Sequence, residues 1–306
     1  MTWRDEIARR VRGEAWRDAP LAPRTSIRVG GPADLLVRPA DAGDLVELLA
    51  ACRRLGVPWL ALGGGANLLV ADRGVRGVVV KLPSDFGEEG GGEGRLVLSG
   101  GAPAARLLAR AHGAGLTGCE FAAGIPGTLG GLAAMNAGTP AGEMKDVLTR
   151  AEVATADGLG WVEAGALGFG YRRSRLPALG ICTRVEVALR PGDLAAAREA
   201  LRADLERRRA TQPLGEPSFG STFRNPPGDH AGRLVEAAGL KGHRIGGAAW
   251  SDLHANFVVN RGGATARDVL GLVRLARARV RERFGVLLEP EVRLAGEFPP
   301  GEGFEP

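Results

Sequence analysis

The chain of 306 residues has one tyrosine, three cysteines, four histidines and only three lysines, Lys81, Lys145 and Lys241, among its 40 basic residues. Cys52, Cys119 and Cys182 are scattered through apolar surroundings without CxxC spacing, which excludes a disulfide framework and a cysteine zinc site and predicts buried free thiols. His112, His230, His243 and His254 form no HxxxH pair, so no metal site is expected. With aromatics at 5% and Tyr171 alone of its kind, the stacking platform of a single-strand nucleic-acid binder is missing. The net charge of +5 comes largely from arginines interleaved with acids, as in Arg202-Ala203-Asp204-Leu205-Glu206-Arg207, which is how a solvated helix face reads. Such a surface suits small anionic ligands rather than nucleic acid. No apolar run approaches the roughly 20 residues of a membrane span. Met1-Thr2-Trp3-Arg4-Asp5-Glu6 carries acids where an export signal carries an apolar stretch. A cytoplasmic, membrane-independent protein is expected, acting as a monomer.

What the chain has in excess is glycine, 48 residues. Leu62-Gly63-Gly64-Gly65-Ala66-Asn67-Leu68 sits between two apolar strands. A tight hairpin rarely needs three consecutive glycines, whereas a nest of backbone N–H groups around a diphosphate does, and Asn67 tolerates the left-handed region. A second stretch runs Gly124-Ile125-Pro126-Gly127-Thr128-Leu129-Gly130-Gly131 and on to Asn136-Ala137-Gly138. By itself it reads equally as a glycine-rich turn into a small-residue helix. Together the two loops suggest a dinucleotide held by loops. Gly113-Ala114-Gly115-Leu116-Thr117-Gly118 matches GxGxxG by letter but closes a helix instead of opening one, so it reads as a cap. The run 87–94 is glycine-rich and acidic, repels phosphate, and is expected to be an exposed mobile loop.

Hydrophobic periodicity gives a short N-terminal helix, a helix over 41–55 and strands over 34–38, 57–62 and 77–82, a βαβ order closing a first unit at 1–83. A second unit, 84–190, holds a strand over 95–99, a helix over 103–112 and strands over 147–155, 160–163 and 181–189. A third, 191–285, has a connecting helix to 208, a short helix over 232–238, a strand over 256–260 and a helix over 264–284. In that last helix Val269, Val273, Ala276, Val280 and Phe284 share a stripe. A closing strand over 286–294 leads the tail, 286–306, back toward the site.

Five motifs then fall in order: Gly63-Gly64-Gly65-Ala66-Asn67; Gly124-Ile125-Pro126-Gly127 with Asn136-Ala137-Gly138; Tyr171-Arg172-x-Ser174; Gly220-Ser221-Thr222-Phe223-Arg224-Asn225-Pro226; and Glu291-Val292-Arg293. The series resembles the UDP-N-acetylenolpyruvoylglucosamine reductase (MurB) family from about Ile27 to about Glu297. The resemblance implies an α+β fold in which α/β subdomains of the FAD-binding PCMH type, shared with vanillyl-alcohol oxidase, hold FAD between loops beside a smaller substrate-binding domain. It implies an NADPH-dependent oxidoreductase that reduces an enolpyruvyl ether of a UDP-sugar to a lactyl ether for peptidoglycan. Neither His nor Cys stands in the first loop, so the FAD is expected to be non-covalent. FAD-contacting positions by this likeness are Leu62 to Leu68 and Gly124, Ile125, Pro126, Gly127, Thr128, Gly130, Gly131, Asn136 and Gly138.

The same likeness assigns catalytic roles. Hydride addition to the methylene of an enol ether conjugated with a carboxylate places charge on that carboxylate, which Arg172 can grip bidentately. Glu291, with Glu289 as its rival, fits as a neutral acid donating to the enolate. Ser221, ahead of Ser218, resembles the group that protonates the carbon. Tyr171, Arg224, Asn225 and Lys241 resemble substrate-binding positions, and Arg244 and the arginines of 207–209 are further partners for a diphosphate. The stretch between Arg173 and Ser218 leaves no room for the tyrosine loop that one branch of the family inserts, so the chain resembles the branch without it. Two competing readings are an alcohol oxidase or dehydrogenase of the same fold, which gives no reason for Arg172 and Glu291, and a binding module without cofactor.

Overall fold

The computed structural model describes residues 2–299 together with 303 and 304. The chain forms two compact units. One comprises the N-terminal residues to Arg17, Leu35–Gly64 and Gly77–Leu205; the other comprises Asp18–Asp34, Gly65–Arg76 and the chain from Glu206 onward.

In the first unit, helix Ala42–Leu55 starts where Asp41 accepts the Asp44 N–H and stops at Gly56, which takes the left-handed conformation at φ 63°. Its buried stripe of Leu45, Leu48, Leu49 and Cys52 meets Leu35 and Val37 of strand Pro32–Arg38 and Val78 and Val80 of strand Val75–Val80. At about 2 kcal/mol for each fully buried Leu, that stripe supplies most of the helix's stability. Val75–Val80 is an interior strand of its sheet and pairs in parallel with Trp59–Ala61, Leu60 opposite Val79. The unbroken apolar run Val78-Val79-Val80 follows from that position. Asp44 is 1% exposed and its carboxylate accepts the backbone N–H groups of Arg12, Gly13 and Ala40 at 2.9, 3.0 and 2.8 Å, tying the N-terminal segment to the helix start.

A second sheet of the same unit is antiparallel, in the order Gly158–Glu163, Leu148–Thr155, Ile181–Ala188, Arg95–Ser99, Gly90–Gly92. Leu98, Ala151, Val185 and Val187 bury against helices Ala104–Gly113 and Leu129–Ala134 through Leu107, Leu129 and Leu132. Ala154 and Ile181 join the core around helix Ala42–Leu55 instead. Charged residues are also drawn in: Glu186 accepts from Arg95, Thr149 and Arg150, and Glu152 accepts from Thr183 and Arg184, so each nearly buried carboxylate is paired. Arg150 also lies over the Trp161 ring at 4.5 Å.

Gly90–Gly92 corrects the expectation of a loop over 87–94. It is an edge strand, Gly91 opposite Leu96, joined to Arg95–Ser99 by a turn in which Glu93 and Gly94 both take positive φ, 51° and 80°. That is the backbone twist of a tight hairpin, and a run without side chains carries no alternation by which to read it. The helix Ala104–Gly113 does end at its glycines, with Ala114 as cap and Gly115 at φ 73°.

In the second unit, helix Ala266–Phe284 lies against an antiparallel sheet ordered Ser218–Ser221, Phe257–Asn260, Ala248–Trp250, Arg244–Ile245. Val269, Val273, Ala276 and Val280 are buried as their spacing predicts, while Phe284 is half-buried at the helix end beneath Arg233 and Arg283. Ile27, Val29 and Leu69 belong to this core too. Strand Leu68–Val70 pairs in parallel with Arg293–Ala295, Leu69 opposite Leu294. The expected strand over 286–294 is thus confined to its end. Pro290 has no N–H to offer a ladder, and its only pairing is a single bridge to Phe223.

Cys52 and Cys119 are buried free thiols and Cys182 is half-buried; burial pushes Cys52 up to about 11 and the other two to about 12, so all three stay protonated near neutrality. No helix among the described residues is long and apolar enough to cross a membrane. Replacing Asp44 by Ala removes the acceptor of three part-buried hydrogen bonds and is expected to cost about 3 kcal/mol in chemical denaturation, whereas a change within about 0.5 kcal/mol would contradict the tie.

Candidate functional site

In the first unit the two glycine-rich loops meet. Leu62 continues its strand by donating to Val80 O at 2.8 Å, and Lys81 Nζ then holds the Gly63 carbonyl at 2.7 Å. A Cβ at Gly63 would lie 2.6 Å from Thr128 Oγ1, and one at Gly64 would lie 2.6 Å from the Gly127 Cα. The missing side chain at Gly64 therefore serves backbone-on-backbone approach between the loops, and the one at Gly63 leaves room for the Thr128 side chain. Gly124 and Gly127 take φ of 63° and 129°, bending the second loop on either side of Ile125 and Pro126. Thr128 then caps helix Leu129–Ala134, its hydroxyl 3.4 Å from Gly131 N. The first helical N–H groups go to protein carbonyls, Leu129 to Ala102 and Gly130 to Gly100, both at 2.8 Å. Gly130 sits where a Cβ would press on Gly100 and Cys182 carbonyls at 3.1 Å.

The Tyr-Arg motif docks on the far end of the second loop. Gly170 and Arg173 exchange backbone hydrogen bonds at 3.0 and 3.2 Å, which leaves Tyr171 and Arg172 at the tip of a two-residue turn with Arg172 at φ 55°. Asn136, buried and at φ 41°, donates to Gly170 O at 3.1 Å and Glu143 Oε2 at 2.9 Å and accepts from Lys145 N at 2.9 Å. Ser174 Oγ donates to Ala134 O at 2.9 Å. Arg172 Nη2 donates to Gly138 O at 2.8 Å, and its guanidinium carbon lies 5.3 Å from the Tyr171 ring centre. Arg172 is half-buried, whereas Arg173 and Arg175 are exposed and Tyr171 is 53% exposed. Geometry thus separates three neighbouring arginines that composition leaves alike.

The remaining first-loop residues belong to the second unit. Gly65 takes φ 65°, accepts from Ser26 N at 3.1 Å, and leaves no space for a Cβ, which would lie 2.3 Å from Arg24 O. Gly65, not Asn67, is the left-handed residue here. Half-buried Ala66 separates the two. Asn67 instead donates to the Glu291 carbonyl at 3.1 Å and accepts from Arg293 N at 3.1 Å, at the start of the parallel pair that Leu68 opens.

Ser221 ends a bulged strand. Ser218 faces Val259 and Ser221 faces Phe257, so one extra residue lies between them, and Gly220 absorbs it at φ 82°. Ser218 Oγ accepts from Gly220 N at 3.2 Å. Glu291 N donates to Thr222 O at 2.9 Å, which places the half-buried Glu291 beside the serine turn although they are far apart in sequence. Arg224 pairs with the exposed Glu289, and Asn225 Oδ1 accepts from Ala231 N at 3.0 Å, capping helix Ala231–Ala237. Lys241 pairs with Glu236 at 2.9 Å, and Arg244 donates to Gly246 O. Arg207 to Arg209 lie on helix Leu194–Thr211.

A pocket of about 360 Å³ opens in the second unit, lined by Ser221, Asn225, Arg233, Glu236, His254 and Asn256 among others. Of these, sequence reasoning singled out only Ser221 and Asn225. His254 Nδ1 accepts from Asn256 N at 3.1 Å, so the neutral ring carries its proton on Nε2. Burial, aided by the charge of Lys241, holds its pKa below 6.5. Gly232 gives the ring room, since a Cβ there would lie 3.0 Å from His254 Cε1. A lone histidine two residues before a polar residue opening an apolar strand was the only trace of this wall in the sequence.

Comparison with known proteins agrees with this geometry. Residues 212–295 match the family described as UDP-N-acetylenolpyruvoylglucosamine reductase, C-terminal domain, and residues 33–162 match the FAD binding domain family. A UDP-N-acetylenolpyruvoylglucosamine reductase of Anaeromyxobacter dehalogenans is 70% identical over 302 residues, covering 99% of this chain and 92% of that protein. One from Myxococcus xanthus is 55% identical over 285 residues, covering 91% of each. The crystal structure of MurB from Thermus caldophilus superposes with a TM-score of 0.78 at 38% identity, covering 93% of this chain and 99% of that one. With an α+β fold that includes an FAD-binding domain of the PCMH type, this chain belongs to the UDP-N-acetylenolpyruvoylglucosamine reductase family of flavin oxidoreductases.

Proposed function

We propose that the protein reduces UDP-N-acetylenolpyruvoylglucosamine to UDP-N-acetylmuramate at the expense of NADPH, in the cytoplasm, for peptidoglycan. The observation that carries the reading is the hydrogen bond from Glu291 N to Thr222 O, which couples the serine turn to the acid strand in one pocket-bearing unit. Bound FAD supplies the hydride that adds to the enolpyruvyl methylene. The residues fit such a group: exposed Gly64 and Gly124 present backbone without side chains, Gly124 and Gly127 bend the second loop at positive φ, and neither loop contains a His or Cys that could form a covalent link, so the FAD is held non-covalently. Residues 1–83 and 84–190 then act as the two cradling subdomains, and 191–285 with the returning tail as the substrate part.

Arg172 grips the substrate carboxylate as negative charge grows on it; its guanidinium is pre-set by Gly138 O and keeps its charge throughout. Ser221 gives its hydroxyl proton to the substrate carbon left electron-rich by hydride addition. A serine is a weak acid, but that carbon is a strong base and the transfer spans one hydrogen bond. Glu291 acts as a neutral carboxylic acid, donating to the enolate oxygen; a charged carboxylate there would oppose the charge that Arg172 stabilises. Tyr171, Arg224, Asn225 and Lys241 hold the UDP-sugar, with Arg244 and the arginines at 207–209 near enough in kind to serve its diphosphate. The stretch between Arg173 and Ser218 is filled by strand Ile181–Ala188 and helix Leu194–Thr211, which supports reading the chain as a member of the branch without a tyrosine loop.

In rapid-mixing experiments Ser221→Ala is expected to leave flavin reduction by NADPH within twofold and to slow flavin reoxidation by the enolpyruvyl substrate about 10²–10⁴-fold. Equal slowing of both half-reactions would remove Ser221 from the proton-donor role. Arg172→Lys keeps the charge but loses the planar fork, and should slow the same reoxidation by about 10²-fold. A lysine variant with the native rate would show that charge alone suffices there.

A further inference from the structure

The ladder that supports Ser221 stops at Ser221 itself, whose partner across the sheet is Phe257. Immediately before it lies the bulge at Gly220, so the regular strand does not define where the serine hydroxyl stands. The next two residues are instead held by one side chain and its own backbone. Asn256 O accepts from Thr222 N at 2.8 Å, Asn256 Oδ1 accepts from Phe223 N at 3.0 Å, and Asn256 Nδ2 donates to Phe223 O at 2.8 Å. The side-chain amide thereby stands in for a peptide unit of a neighbouring strand and meets both polar groups of Phe223. Only one orientation of the amide satisfies both bonds, because the carbonyl must face an N–H and the NH₂ must face a carbonyl. Asn256 is 4% exposed, so water does not compete for these bonds.

On the other side of the same two residues, Thr222 O accepts from Glu291 N and Phe223 bridges Pro290. The Asn256 clamp therefore fixes the turn against which the Glu291 segment registers. The backbone N–H of Asn256 also fills His254 Nδ1, so a second wall of the pocket hangs on the same residue.

We propose that Asn256 is a positioning residue that holds Ser221 at the distance and angle needed for proton transfer, acting through the clamped Thr222–Phe223 backbone. This rests on the reading of Ser221 as the proton donor. Aspartate cannot replace it when ionised, because a carboxylate oxygen would face the Phe223 carbonyl. Displacements of about 1 Å at a reacting group cost on the order of 10² in rate.

The test uses the flavin-loaded full chain and UDP-N-acetylenolpyruvoylglucosamine, with both half-reactions followed separately. In Asn256→Ala, reoxidation by the substrate should slow about 100-fold while reduction by NADPH stays within twofold. Adding Asn256→Ala to Ser221→Ala should bring less than a threefold further loss, because the Glu291 segment is also held by Asn67 and by the pairing of Arg293–Ala295 with Leu68–Val70, so that the clamp's effect on the rate runs through the serine. Asn256→Asp, which keeps an acceptor for Phe223 N and loses the donor, provides the same comparison if the alanine variant fails to retain flavin. Multiplicative losses in the double variant, or equal slowing of both half-reactions in a single one, would overturn the positioning role. If Ser221→Ala alone leaves reoxidation unchanged, the proton-donor assignment falls and takes the positioning role with it. If Ser221→Ala is slow and both Asn256 variants are normal, only the positioning role falls.

Discussion

The close approach of Gly63–Gly64 to Gly127–Thr128 is the constraint on which the candidate site of the first unit depends. Two loops more than sixty residues apart can approach to this distance only if the first carries no Cβ at Gly63 and Gly64, where Thr128 and Gly127 press in. Everything downstream in the second loop takes its position from that approach. Thr128 caps the short helix, the helix delivers Asn136 to its buried seat, and Asn136 anchors the turn that presents Arg172. In the proposed role, a guanidinium held by Gly138 O would need little reorganisation to meet a carboxylate, which is where an arginine gains over a mobile cation.

The second unit solves a comparable problem with amides instead of glycines. A bulge frees Ser221 from the strand's alternation, and the following residues are captured between the Asn256 amide and the 289–291 segment. Asn67 in turn holds the Glu291 carbonyl, so the backbone of the Glu291 segment is tied from both directions.

Much of this was legible in the sequence where a residue's role is local. The stripe Val269, Val273, Ala276, Val280 appears buried as spaced, helix Ala42–Leu55 begins at Asp41 as its cap residue signals, and the α+β class with a flavin-binding fold holds. What escaped depends on long-range partners. The glycines at 63 and 64 read as room for a phosphate, yet the contact that demands them comes from Gly127 and Thr128. Gly90–Gly92 gave no alternation, Pro290 interrupts what looked like a continuous closing strand, and Asn67 reads as a left-handed residue although Gly65 takes that conformation. Asn256 and His254 left no spacing signal at all, since their importance lies in Phe223 and Ser221, more than thirty residues earlier in the chain.

In the proposed reaction, reducing equivalents pass from the flavin site to an enolpyruvyl UDP-sugar. The most direct test is the visible spectrum of the purified protein under anaerobic conditions, first with NADPH and then with UDP-N-acetylenolpyruvoylglucosamine. The account predicts an oxidised flavin band that NADPH bleaches and that returns in full within seconds of adding one equivalent of the UDP-sugar. A colourless protein, or a bleached flavin that regains its colour with oxygen but not with the UDP-sugar, would contradict it.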